Sequence, residues 1–211
     1  MRLEIVTPRG PAWADVTPPD PAGVASLLVL GHGAGGGVNA PDLVAVRDTV
    51  IGAGVVVALV TQPYRVAGRR SPAPAAHLDE AWAAVLARLT GAGSGQGETV
   101  VPAGTPLVVG GRSSGARVAC RTSGEVGAAG IVALAFPTHP PGRPERSRVD
   151  ELRTGLPTLV VNGDRDPFGI PPELPGVDLV LRPGQAHDLR RDVAGTAGAV
   201  LEWLRSHSWA N

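Results

Sequence analysis

Two kinds of hydrophobic pattern divide the chain. RLEIV (2–6) and AWADV (12–16) alternate or nearly so, with turn residues between and after them, and predict a short antiparallel pair at a sheet edge. From residue 26 onward the apolar runs become continuous: SLLVLGHG (26–33), VVVALV (55–60), PLVVGG (106–111), GIVALAF (130–136), PTLVVNG (157–163) and VDLVLRP (177–183). Runs apolar on both sides fit central strands of a parallel sheet covered on both faces.

Helical spacing fills the gaps. Residues 41–51 carry Leu43, Val46 and Val50 on one face, and residues 75–89 carry Leu78, Trp82, Val85 and Leu89. A short, small-residued helix is expected over 114–120, and a last one over 191–204 with Val193, Val200 and Leu204 inward. The alternation predicts an α/β fold: a mostly parallel, doubly wound sheet with right-handed crossovers and helices on both faces. Its sites lie beyond the carboxyl ends of the strands. With 211 residues the chain reads as a single domain with a minimal cap or none. Residues 91–104 (GAGSGQGETVVPAG) read as a flexible loop, and 139–155 as a longer excursion after a strand.

Charge narrows the choice by exclusion. Nineteen cations balance nineteen anions without a long run of either sign, and only seven side chains are aromatic, so no nucleic-acid footprint is present. Every cation is Arg, which rules out a P-loop lysine, a Schiff-base lysine and a pyridoxal-phosphate anchor. The one cysteine, Cys120, allows no internal disulfide and reads as a small buried hydrophobe. No C-x-x-C or H-x-x-x-H occurs, so no metal is expected. The start MRLEIVTPRG lacks a signal-peptide core and no run spans a bilayer, which points to the cytoplasm and no membrane association.

The chemistry lies in Gly111-Arg112-Ser113-Ser114-Gly115. This G-x-S-x-G follows a strand-like run and precedes a helix-like one, the context of a nucleophile elbow. Ser113 takes the exposed central position, while Ser114 begins the helix and offers its N–H. Asp166, after TLVVN, and His187, after VDLVL, complete the order Ser…Asp…His. Asp164 is the rival acid and reads as a turn former. Gly31-His32-Gly33-Ala34-Gly35-Gly36 ends an earlier strand, where small residues let backbone N–H groups face a developing oxyanion; Ala34 and Ser114 are the expected donors. The same run matches G-x-G-x-x-G, yet no acid occurs between Asp48 and Asp79 to hold a ribose, so the dinucleotide reading loses.

HGAGG, GGRSSGARVA, FPTHPPGRPER and NGDRDPFG resemble the corresponding stretches of small α/β-hydrolases of the dienelactone-hydrolase-like and testis-expressed protein 30-like group. The resemblance runs from the glycine run to His187. It implies an α/β-hydrolase fold, with the nucleophile on Ser113, the acid on Asp166 and the histidine on His187. Two departures are visible: members more often show Asp-His before an aromatic where this chain has Ala-His-Asp, and dienelactone hydrolases carry Cys at the elbow.

Of the other histidines, His32 reads as a structural member of the glycine loop, His77 as lying near the start of a surface helix, His207 as part of a frayed tail, and His139 as a pocket residue. Loops near 64–74 and 138–155 are expected to shape the pocket. Tyr64, Arg69, Arg70 and Arg112 are candidate substrate-binding residues, with Arg143 and Arg146 adding to a basic mouth that favours acyl substrates bearing an anion. The reading is therefore a cofactor-free serine hydrolase acting on a small acyl ester, as a monomer or small homo-oligomer. The alternative is a catalytically silent fold that binds a partner or ligand.

Overall fold

Side chains on successive strand residues point to opposite faces, so a strand buried on both needs two separate cores. Leu27 and Val29 of β3 (Ser26–Gly31) enter one core while Leu28 and Leu30 enter the other. In β4 (Val55–Thr61), Val56, Ala58 and Val60 join the first core and Val55, Val57 and Leu59 the second. The computed structural model describes residues 1–19, 23–92 and 99–211. The loop expected over 91–104 therefore lies in its middle part (93–98) outside the described residues.

The remaining strands are β1 (Arg2–Thr7), β2 (Gly10–Thr17), β5 (Leu107–Arg112), β6 (Gly130–Leu134), β7 (Thr158–Gly163) and β8 (Val177–Arg182). They join one eight-stranded sheet in the order β1-β2-β4-β3-β5-β6-β7-β8. Among the described residues only the β1–β2 and β2–β4 pairs are antiparallel, as the alternating opening segments suggested. The helices are α1 (Pro41–Val50), the four-residue α2 (Pro63–Val66), α3 (Ala75–Thr90), α4 (Ser114–Thr122) and α5 (Val193–Ser206). α1 and α5 cover one face, with Leu43, Val46, Val200 and Leu204 inward. α3 and α4 cover the other with Trp82, Val85, Ala116 and Val118.

Winding sets where a site can form. From β3 the chain crosses through α1 to β4 on one side; from β5 it crosses through α4 to β6 on the other. Adjacent strands whose connections diverge leave a crevice beyond their carboxyl ends. The loops after β3 and β5 meet there.

Several expectations need correction. VDLVLRP is not a covered central strand: β8 is the sheet's outer edge and half-exposed, with Leu181 open to solvent. The short helix α2, with Pro63 at its first position, interrupts what reads as loop over 64–74. His77 lies near the start of α3, half-exposed as expected, and lines a small cavity with Arg9 and Arg69. The tail at His207 is not frayed. Its ring stacks on Trp209 at 4.8 Å and tilts against Trp203 at 4.5 Å. Ser26 donates to the Trp209 carbonyl at 2.7 Å, and Asn211 N donates to Ala53 O at 2.8 Å. No helix among the described residues is long and apolar enough to cross a membrane.

Close approach of backbones marks the centre of the fold. A Cβ at Gly115 would overlap the Gly31 carbonyl, and one at Gly111 would collide with the same peptide. Gly115→Ala is therefore expected to destabilise by about 3 kcal/mol, because neither backbone can yield, although alanine suits a helix better than glycine. Gly124→Ala, where nothing lies within 4 Å of the added methyl, should stay within about 0.5 kcal/mol. Urea unfolding of the two variants measures the contrast, and equal midpoints would refute it.

Candidate active site

Ser113 sits between β5 and α4 with φ 54° and ψ −108°, a conformation that side chains avoid. Such a residue costs on the order of 1–3 kcal/mol and persists only when its surroundings dictate it. Here the surroundings are two glycines against Gly31, with Ser113 N held to Leu134 O at 2.9 Å. The turn lifts the side chain out of the strand and presents it at the crevice.

His187 meets it there. Its Nε2 lies 2.9 Å from Ser113 Oγ and its Nδ1 lies 2.8 Å from Asp166 Oδ2. A carboxylate only accepts, so Nδ1 carries the proton and the Nε2 lone pair is left for the serine hydroxyl. The Asp166 side chain is fully buried, and its other oxygen accepts from Phe168 N at 2.8 Å. The Phe168 ring packs edge-on against the imidazole at 4.4 Å. Asp164 instead accepts from Gly184 N at 2.7 Å and is exposed, a turn role.

Two polar residues outside this chain of hydrogen bonds fix it. Asn162, buried at the end of β7, accepts from Phe136 N at 2.8 Å and donates to Phe136 O and Gly169 O. It thereby ties the end of β6 to the turn bearing Asp166. Arg112 donates to the His187 carbonyl at 3.0 Å and pairs with the buried Asp42 carboxylate, also at 3.0 Å. Burial pushes the Asp42 carboxyl up despite that pairing.

The glycine loop is anchored from behind. His32 Nδ1 lies 2.8 Å from Gly33 O, and Gln62 N donates to its Nε2 at 3.1 Å. One donor and one acceptor require the neutral ring, and burial pushes its pKa down in agreement. Gly36 N also donates to Gly33 O, at 3.1 Å. In a trans peptide the N–H points opposite to the carbonyl, so the Ala34 N–H faces away from these anchors. The Gly33 backbone borders Ser113: a Cβ placed on it would lie 3.6 Å from Ser113 Cβ. Ser114 N–H, in the first turn of α4, has no carbonyl four residues back within the helix.

A cavity of about 360 Å³ opens over these groups. Ala34, Ser113, Ser114 and His187 form its floor, and Pro72, Pro137, Pro141 and Phe168 its apolar walls. The candidate substrate-binding residues are not brought to it. Tyr64 is buried, its hydroxyl donating to Ala34 O at 2.8 Å. Arg69 lines the separate small cavity, Arg70 is exposed, and Arg112 is turned beneath the elbow. His139 directs Nδ1 at Pro140 O, 2.9 Å away. The cations that reach the cavity are Arg117 and Arg148, which sequence reasoning missed. Arg117 lies four residues beyond Ser113, one helical turn, and that spacing was the available signal. Cys120 is buried on the inner side of α4, its thiol pushed up to about 12 by burial. Among the described residues no group of three His, Cys, Asp or Glu side chains is placed to hold a metal.

A family model described as an alpha/beta hydrolase domain matches residues 24–187. Solved structures repeat the architecture at low identity. A lidless α/β serine hydrolase from Xanthomonas campestris is 18% identical, with a TM-score of 0.76 over 98% of this chain and 94% of that one. Est1E from Butyrivibrio proteoclasticus is 17% identical, with a TM-score of 0.76 over 97% and 98%. A dienelactone hydrolase from Anabaena variabilis is 16% identical, with a TM-score of 0.72 over 98% and 96%. No curated protein sequence matches the chain. With the family model covering most of its length, the chain belongs to the α/β-hydrolase domain family.

Proposed function

We propose that this protein is a serine hydrolase that cleaves a small acyl ester without a cofactor. The observation that carries the reading is the unbroken contact from Ser113 Oγ to His187 Nε2, 2.9 Å, and from His187 Nδ1 to Asp166, 2.8 Å, at a serine held in a strained turn. A hydroxyl is a weak nucleophile until an oriented base takes its proton as it attacks.

The steps follow from that order. Ser113 Oγ attacks the acyl carbonyl carbon while its proton passes to His187 Nε2. Asp166 keeps the proton on Nδ1 and stabilises the imidazolium. The carbonyl oxygen, now an oxyanion, takes hydrogen bonds from the Ala34 and Ser114 N–H groups. Collapse breaks the ester C–O bond, and the alcohol leaves with the proton from His187. Water then attacks the acyl-enzyme, giving its proton to His187, and the released Ser113 oxygen recovers that proton as the acid departs.

Ser113→Ala should abolish both ester turnover and labelling by a fluorophosphonate while leaving the unfolding midpoint nearly unchanged. Turnover at the wild-type rate in that variant would remove Ser113 from the mechanism. A wild-type protein that never labels would favour a silent, ligand-binding role for the fold.

Asp166→Asn should lower kcat by a thousandfold or more, by analogy with other triads, whereas Asp164→Asn should change it only slightly. Steady-state kinetics on one p-nitrophenyl ester ranks the two, and the reverse order would move the acid to Asp164.

The rate should rise with pH through one ionisation, since His187 accepts a proton only when neutral. His187→Ala should remove that limb with nearly all activity, and His139→Ala should leave it in place. A limb that survives in the His187 variant assigns the base elsewhere.

A further inference from the structure

We infer that Arg148 forms an anion subsite in the wall of the Ser113 cavity, so that the substrate is an ester carrying a second, negatively charged oxygen group. The inference rests on the hydrolase reading and adds the substrate class. Arg148 lines the same cavity as Ser113 and His187. It also lines an adjoining depression with Arg117, Arg143 and Arg146. The mouth of the site is therefore basic.

What distinguishes Arg148 is where the nearby carboxylates go. Glu151 accepts from Nε and Nη2 of Arg117, at 2.8 and 2.5 Å, and lies 3.5 Å from Arg121. Asp79 takes Arg121 in the same two-pronged way, at 2.9 and 2.6 Å. Glu145, on the Arg148 loop, is exposed and lines neither depression. Among the described residues Arg148 makes no ion pair. Its guanidinium reaches only the His139 carbonyl, through a long 3.5 Å contact.

The base of the side chain is nevertheless fixed. Arg148 N donates to Thr138 O at 2.7 Å, and the 3₁₀ turn that follows, Val149–Leu152, buries Leu152. Partial burial lowers the Arg148 pKa, a sign of lost hydration, yet a guanidinium stays charged. A held, half-dry cation with free N–H donors is suited to a carboxylate or a phosphate, which its planar fork can bind through two hydrogen bonds. The apolar lining, Pro72, Pro137 and Phe168, suits an apolar body. The fitting substrate is thus a small ester with an apolar middle and one terminal oxyanion.

The test compares mono-(4-nitrophenyl) adipate with its methyl ester, which keeps the adipoyl chain and masks the charge. The wild type should prefer the acid in kcat/KM by about tenfold at low salt, one charge-assisted pairing in a half-exposed site, with the difference mainly in KM. The preference should shrink as salt rises. Arg148→Gln should bring the ratio to about one, and Arg148→Lys should retain part of it. Equal constants for the two esters in the wild type, or an Arg148→Gln variant that loses equally on both, would overturn the subsite. Thermal shifts with free adipate and with inorganic phosphate form an arm independent of turnover. Adipate or phosphate should raise Tm in the wild type and in Ser113→Ala but not in Arg148→Gln, the stronger of the two identifying the anion. If neither ester is hydrolysed while this pattern holds, the hydrolase reading falls and the subsite stands. If hydrolysis proceeds while neither anion shifts Tm, the subsite falls.

Discussion

Everything in the site depends on how closely the elbow approaches β3. The peptide at Gly31 touches the backbones of Gly111 and Gly115 with no room for a Cβ on either. That contact lets α4 pack directly over β3 and β5, and the chain must reverse within one residue to reach it. Ser113 takes the unfavourable φ and ψ that result. A strain of a few kcal/mol is tolerable because two apolar cores hold the strands and helices on either side.

Polar groups then transmit that fixed point outward. A buried polar side chain without partners is costly, so each must be placed where its bonds can be made. Asn162 bonds to Phe136 and Gly169 and so sets the distance between the β6 end and the Asp166 turn. Arg112 joins α1, through Asp42, to the carbonyl of His187. His32 and Tyr64 hold two successive carbonyls of the glycine loop. None of these side chains lines the cavity, yet together they determine where Ala34, Asp166 and His187 sit relative to Ser113.

The arginines divide by the same rule. Arg112, Arg117 and Arg121 each face a carboxylate and serve to join elements. Arg148 shares their neighbourhood without a carboxylate of its own, and it borders the cavity. In a chain whose every cation is arginine, a count of positive residues says little about recognition. Which guanidinium is left without an ion pair depends on which acids fold beside it.

Much of the architecture was legible from periodicity alone. Continuous runs such as SLLVLG and VVVALV require apolar surroundings on both faces, and helical spacing between them leaves only a wound parallel sheet. The elbow and the order Ser113, Asp166, His187 were legible too, because a tight strand-to-helix turn restricts local sequence. Edge position was not: VDLVLR reads like a central strand, since periodicity records apolar character and not the number of neighbours. The tail at His207 was also hidden, as it is anchored by Ser26 and Ala53, both distant in sequence. The loops near 64–74 and 138–155 do wall the pocket, through Pro72, Pro141 and Arg148, but which of their side chains reach it was not legible. Arg69 and Arg70 follow a strand that ends on the active face, yet α2 and the turn after it carry them away from the cavity. Arg148, from a loop thirty-five residues beyond Ser113, is returned to it by the Thr138 hydrogen bond and the burial of Leu152. Local sequence determines turns and the faces of helices and strands; long-range pairing of charges and backbone groups decides which side chains share a cavity.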